Sequence, residues 1–355
     1  MSEVYDALKL LSKELNIQFS AEVAVPGEEV NFSDVRLWVP TTSYILNLVL
    51  GGGIPMGRIL EVYGEPSHGK STIITHMMVG CQKFPGISVL LDAESSWYRD
   101  RALAMGHDPS RHLHLQADTV ELGFSVIAST ITRIRMKGSR FPPKMPVCFF
   151  WDTIAASPTE GEKEGDQYRD GMSDKARKIR MNLRKLSLVL PKSNCALVFV
   201  NQTITDIKAK NPKFNKTTPG GGAIKFWASK RIKVYKISRM QYPHDNSGII
   251  STLHIVKDKI NPPNREGEVP ILNATGIHPV YELLNFLVDN SDYVNLIRKQ
   301  YVITDYPTPG SDMRISQSKL DEHLTKLGSR QKDLIEYLQC CVDEAWAAKY
   351  GGLSD

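Results

Sequence analysis

The chain has 355 residues, of which 41% are hydrophobic and 23% charged, and a formal net charge of +5. A chain of this length exceeds what one hydrophobic core usually supports, so a large domain with smaller appendages is expected, and the composition excludes a disordered or collagen-like polymer. No apolar run approaches the ~18 residues of a membrane helix, and the opening MSEVYDALKLLSKEL lacks a signal-peptide core, so a soluble, cytoplasmic protein is expected.

Charge is unevenly distributed. Residues 140–260 hold 23 Lys and Arg against 10 Asp and Glu, whereas residues 275–355 hold 8 against 12. A polyanionic partner accounts for such a basic stretch, and so does a solvated basic face. The cysteines, at 81, 148, 195, 340 and 341, form no CxxC pair and lie mostly in apolar surroundings. That usage suits buried free thiols in a reducing compartment rather than a zinc site.

In chain order, Val4, Leu8, Leu11 and Leu15 recur at helical spacing and predict a short amphipathic helix, followed by an extended connector over 18–36. A helix of this size is marginal alone, so its apolar stripe must dock on its own core or on another subunit. Segments 58–63, 88–92, 147–152, 196–201, 231–237 and 252–257 read as strands alternating with helices, the pattern of a mostly parallel sheet covered on both faces. The remaining residues, 276–355, read as a separate α-rich unit. Helices are expected over 280–287, 293–301, 316–327 and 330–349, with a Pro/Gly-rich break at 305–310. The expected division is therefore 1–36, 37–275 and 276–355.

Residues 64–71, GEPSHGKS, carry the phosphate-loop pattern GxxxxGK[ST] between a strand and a helix. Gly64 and Gly69 let the backbone wrap closely, and in the stretch Glu65, Pro66, Ser67 and His68 every residue but Pro66 offers an exposed N–H group. Lys70 then reaches the β- and γ-phosphates, Ser71 ligates Mg²⁺, and Thr72 continues the helix whose dipole end faces the anion. Asp152 closes an apolar strand, as expected of an acid holding Mg²⁺ through water. Glu94 ends another strand, where a base for the attacking water would lie. Gln202 ends the strand ALVFVN and starts a loop, so it can sense a γ-phosphate and pass the nucleotide state onward.

Two basic elements follow from spacing. Arg177, Arg180 and Arg184 fall on one helical face, with Leu183, Leu186 and Leu190 on the other, next to an acid-rich loop at about 159–173. The loop at about 203–220 interleaves Lys208, Lys210, Lys213 and Lys216 with Ile207 and Phe214 and runs into Gly220, Gly221 and Gly222. Charge that tracks a backbone, combined with apolar platforms for bases, is how single-strand binders work.

Taken in order, GIPMGRILEVYGEPSHGKST (53–72), LLDAE ending at Glu94, VCFFWDTIAA, LVFVNQ, TTPGGGAIKFWAS (217–229) and IVKDKINPP (255–263) resemble the bacterial-type RecA recombinases, including relatives carried by phages. The resemblance covers about residues 37–275. It implies a RecA-type P-loop ATPase core with an N-terminal oligomerisation helix and a small C-terminal domain, and a Mg²⁺- and ATP-dependent helical filament on single-stranded DNA. That filament would pair with homologous duplex DNA, exchange strands, bind ATP between neighbouring subunits, and be open to single-strand-binding or mediator proteins. The match also implies that Lys257 and Lys259 reach the phosphates from the adjacent subunit, in the manner of an arginine finger. By spacing alone, VKDKI reads as an exposed edge strand. The match further makes Met172, Arg177, Arg184, Ile207, Gly220 and Gly221 DNA-facing.

The chain departs from the family at three places. Arg101 stands where the family stacks an aromatic ring on adenine, leaving Arg101 or Tyr98 to meet the base. Gly222 replaces an amide. The end, AWAAKYGGLSD, lacks an acidic tail, from which readier duplex binding is expected. A ring-forming motor or a non-catalytic mediator would share the phosphate residues. The N-terminal helix and the small last unit favour a filament over the ring, and the intact Lys70, Glu94 and Asp152 argue against the mediator.

Overall fold

The computed structural model describes residues 3–18, 35–164, 172–205, 216–218, 222–241 and 247–350. Two compact units are present, Met1–Arg36 and Leu37–Asp355. In the first, α1 (Glu3–Gln18) is the amphipathic helix read from the sequence, and its stripe residues Leu8 and Leu11 are 47% and 50% exposed. The connector over 19–34 lies outside the described residues.

The second unit opens with β1 (Trp38–Val39), α2 (Tyr44–Leu50) and β2 (Ile54–Pro55). Alternation then sets in: β3 (Ile59–Gly64), α3 (Lys70–Lys83), β4 (Ile87–Asp92), α4 (Arg99–Ala104), β5 (His112–Leu115), α5 (Val120–Arg135), β6 (Val147–Asp152), α6 (Glu160–Glu164), α7 (Met172–Ser193) and β7 (Cys195–Gln202). After β8 (Ile204–Thr205), β9 (Lys216–Thr217) and α8 (Gly222–Trp227), an antiparallel wing follows from β10 (Lys230–Gln241), β11 (Ser247–Asp258), β12 (Glu266–Leu272) and β13 (Gly276–Ile277). The main sheet runs β13-β12-β11-β10-β3-β7-β6-β4-β5, and its last six strands, β10 to β5, are mutually parallel.

Strand composition explains both covered faces. Successive residues of a strand point to opposite sides, so Cys148 and Phe150 of β6 and Ala196, Val198 and Val200 of β7 enter one core while Val147, Phe149 and Trp151 and Cys195, Leu197 and Phe199 enter the other. The first core is closed by α2, α3 and the C-terminal helices, the second by α5, α7 and α8. The cysteines at 81, 148, 195 and 341 are buried free thiols, whereas Cys340 is exposed.

The last segment comprises α9 (Pro279–Asn290), β14 (Val294–Ile297), β15 (Gln300–Ile303), β16 (Met313–Ser316), α10 (Leu320–Leu327) and α11 (Arg330–Tyr350). The helix expected over 293–301 is instead a hairpin. Arg298 and Lys299 both take positive φ, 48° and 63°, and turn β14 back on β15, while β16 pairs on the other side. Nothing in Arg-Lys announces such a turn, which ordinarily carries Asn-Gly. The apolar positions 294, 297 and 301 fit a helix equally well, and pairing with β16 decides the outcome. α9 is fastened to α2 by Glu282, which is 1% exposed and accepts from Ser43 Oγ (2.6 Å) and Tyr44 N (2.8 Å). Burial pushes the Glu282 carboxyl up to about 7, although Ser43 and the backbone N–H groups of Tyr44 and Ile45 hold it down in part.

Candidate nucleotide site and nucleic-acid interface

The phosphate loop links β3 to α3 at the carboxyl edge of the parallel strands, where open α/β sheets bind ligands. Gly69 has φ 87° and precedes the first helical residue, so the free N–H groups of α3 open onto the loop. Glycine at 64 and 69 also answers to packing. A Cβ on Gly64 would lie 2.1 Å from Val234 O, and one on Gly69 would lie 2.4 Å from Ile271 Cδ1. Ser67 adds a further positive φ of 61° within the loop. The loop is braced by Ser251 Oγ, which donates to His68 O at 3.0 Å, while Pro66 is exposed.

Lys70 is 7% exposed and its Nζ donates to Glu65 O at 2.7 Å. Burial lowers its pKa, opposed by the carboxylates of Asp152, Glu94 and Glu65. Ser71 Oγ donates to Asp152 Oδ2 at 3.1 Å. Burial pushes Asp152 up to about 6, with Ser71 opposing and Glu94 and Asp92 adding to the rise. A hydroxyl and one carboxylate facing a bound triphosphate is a donor set suited to Mg²⁺, which takes few protein ligands. A helix N-terminus with a buried ammonium suits the phosphates themselves. The cleft beyond them, about 360 Å³, is lined by Ser67, Gly69, Lys70, Ser71, Thr72, Arg101, Ile249, Ile271 and Asn273. Tyr98 is 66% exposed and is not among these lining residues, so of the two candidates for meeting a base only Arg101 lines the cleft.

Glu94 sits across the strand ends from this loop. Its Oε1 accepts from Thr153 Oγ1 at 3.1 Å and from Gln202 Nε2 at 3.0 Å. Glu94, Gln202 and Asp152, the residue before Thr153, are thus brought together from the ends of three strands, β4, β7 and β6. Thr153, 1% exposed, has no signal in the sequence to mark it out. Past Gln202, β8 pairs with β9 through Ile204↔Thr217 and Thr205↔Lys216, closing the stem of the basic loop. Ile207, Lys208, Lys210, Lys213, Gly220 and Gly221 lie outside the described residues. Lys216 is in β9, Gly222 opens α8 and is exposed, and Met172 opens α7.

Along α7, Arg177, Arg180 and Arg184 are exposed while Ile179, Leu183, Leu186 and Leu190 are buried, as their spacing predicts. Arg177 is held by Asp174, to which its Nε donates at 3.0 Å. Lys178 on the neighbouring face bridges Glu121 (2.8 Å) and Asp174 (2.9 Å).

Lys257 and Lys259 are placed away from their own phosphate loop. Lys257 pairs with Arg231, which pairs with Glu61, three residues before Gly64 on β3. That is about 10 Å along a strand. Both ammonium groups donate to Phe226 O at 3.0 Å, and Phe226 itself is 66% exposed. Burial, followed by the charges of Lys259 and Arg231, lowers Lys257 to about 8. Between the two lysines, Asp258 turns inward to a buried set missed by sequence reasoning. It pairs with Lys230 and with Arg265 Nη2 (2.8 Å) and accepts from Ile260 N (2.8 Å) and Asn261 N (3.0 Å). The alternation in VKDKI was the available signal: a residue flanked by two outward lysines faces in.

A phosphate loop opening a helix at the edge of a mostly parallel sheet, with acids at the ends of neighbouring strands, defines a P-loop protein of the α/β class. The profile of the RecA N-terminal domain matches residues 6–278. Among curated relatives, Protein RecA of Citrifermentans bemidjiense is 34% identical over 289 residues, covering 80% of this chain and 81% of that one. Protein RecA of Acholeplasma laidlawii is 33% identical over 297 residues (82% and 84%), and that of Helicobacter pylori strain G27 is 33% identical over 283 (79% and 78%). The chain therefore belongs to the RecA family.

Proposed function

We propose that this chain is a DNA-dependent ATPase that assembles into a helical filament on single-stranded DNA and carries out homologous pairing and strand exchange. The observation that carries the reading is the bridge from Glu94 to Gln202. One carboxylate oxygen engages the last residue of β7, directly ahead of the basic loop, so a hydrogen bond ties Glu94 to the strand end from which that loop departs. Bound ATP with Mg²⁺ would supply the transferable phosphoryl group and the charge that compensates it. Lys70 and Ser71 would hold the triphosphate and cation, Asp152 would help hold the cation, and Glu94 would orient and deprotonate the water. Gln202 turns toward the γ-phosphate, and releasing its hold on Glu94 frees the acid while repositioning the stem at Ile204 and Thr205.

Lys257 and Lys259 lie too far up the strand to serve their own loop, which supports their acting on the phosphates of the adjacent subunit. Residues 1–36 join neighbouring subunits, the loops at about 159–173 and 203–220 and the arginine row of α7 contact DNA, and 276–355 form the small C-terminal domain. The test is ATP hydrolysis with and without single-stranded DNA, with electron microscopy of the same samples. Strong stimulation together with helical filaments is expected. DNA-independent hydrolysis by closed rings would withdraw the roles given to both loops.

A further inference from the structure

The connection from α5 to β6, residues 136–146, lies at the amino edge of the parallel strands, about 17 Å along β6 from the carboxyl edge where both basic loops begin. From Leu122 to Trp151 the chain holds Arg133, Arg135, Lys137, Arg140 and Lys144 and no Asp or Glu. Arg135 braces the connection. Its Nε donates to Ser193 O at 2.6 Å, and its guanidinium also donates to Pro142 O and Met145 O. Two turns close within it, Ser139 N to Met136 O and Met145 N to Pro142 O, both at 3.1 Å. Gly138 supplies the positive φ, 83°, at the third position of the first turn. Asn194 Nδ2 donates to Lys144 O at 3.4 Å, which fastens the end of α7 to the same loop.

The other four cations, and Lys192 near the end of α7, are exposed and form no ion pair among the described residues. Lys137, Arg140 and Lys144 are at most about 10 and 14 Å apart even on an extended chain, and the two turns bring them closer. Charges at that range are only partly screened from one another, so the loop carries self-repulsion that a polyanion would relieve. Between these cations Phe141 is 43% and Met136 57% exposed. Protein interfaces are depleted in Lys, whereas backbone-tracking cations interleaved with an exposed ring are the composition of a single-strand binder. We infer that residues 136–144 together with Lys192 form a second contact surface for single-stranded nucleic acid, in which Lys137, Arg140 and Lys144 meet phosphates and Phe141 stacks on a base. This surface is separate from the contacts proposed above for the loops at about 159–173 and 203–220.

The test is binding of a fluorescein-labelled oligothymidine to the full-length protein across a NaCl series. The triple variant Lys137→Ala, Arg140→Ala, Lys144→Ala should bind more weakly and lower the slope of log K against log salt by about 2, three single-strand phosphate contacts' worth. Phe141→Ala should weaken binding on the order of tenfold and leave the slope unchanged, as loss of a stacking platform does. An unchanged slope in the triple variant, shown by thermal melting to be folded, overturns the inference. If that unchanged slope comes with altered sedimentation of the DNA-free protein, the surface joins copies of the chain instead. Should the triple variant not fold, photocrosslinking of a 5-bromouracil oligonucleotide to the wild type decides, with crosslinks within 136–144 expected and crosslinks confined to other segments overturning the inference. A wild type that binds no oligonucleotide would overturn the recombinase reading as well, whereas wild-type binding with an unchanged triple-variant slope leaves that reading standing.

Discussion

Replacing Glu282 with Gln isolates the electrostatics of the clamp between α2 and α9. The carboxyl is 1% exposed and lifted from its ordinary 4.5 to about 7 by burial, so its native form takes up a proton more readily than its unfolded form. A group of this kind contributes its full stability below pH 4.5, loses it as pH rises toward 7, and is level above that. At 1.36 kcal/mol per unit, the loss is about 3 kcal/mol. Glutamine is nearly isosteric, neutral throughout, and keeps an oxygen for Tyr44 N, so it removes the titration while preserving most of the contact. Urea denaturation of both proteins between pH 4.5 and 8.5 reads the effect as a double difference in which every other titrating group cancels. The stability of the variant relative to wild type should climb by about 3 kcal/mol across that window, with most of the change below pH 7. Parallel pH profiles would refute the reasoning, since they would mean that Glu282 ionises in the native protein as it does in the unfolded chain.

Two further outcomes test the candidate sites. Glu94→Gln should retain ATP binding, measured by displacement of a labelled nucleotide, while turnover falls on the order of 10²–10⁴-fold, the usual worth of a positioned base; loss of binding would make Glu94 a structural residue. Arg177→Ala combined with Arg184→Ala should weaken single-stranded DNA binding and reduce the slope of log K against log salt by about 1.4, two phosphate contacts' worth. An unchanged slope would place the α7 row on the solvent side.

Much of the site was legible because its chemistry is local. Eight consecutive residues encode the phosphate loop, and Asp152, Glu94 and Gln202 each lie at or just past the end of a short apolar run that reads as a buried strand, so their type and position could be read without knowing the strand order. The hairpin at 293–303 was illegible for the opposite reason. Its apolar spacing fits two periods, its Arg-Lys turn carries no turn chemistry, and β16 supplies the deciding hydrogen bonds from ten residues farther on. Asp258 and Lys230 escaped notice because a buried ion pair has no sequence pattern beyond the inward parity of VKDKI.

By itself the sequence determined the class of protein, the phosphate-binding loop, the arginine face of α7 and the family, all of which depend on residue order and short-range periodicity. Only the tertiary structure decided that Arg101 rather than Tyr98 lines the cleft, that Glu94 and Gln202 share one hydrogen bond, and that Lys257 and Lys259 stand back from their own loop. Those are distances between strands that lie one strand apart in the sheet, β4 and β7 across β6 and β11 and β3 across β10, yet are far apart in the chain, and the assembly of the sheet sets them rather than any local preference.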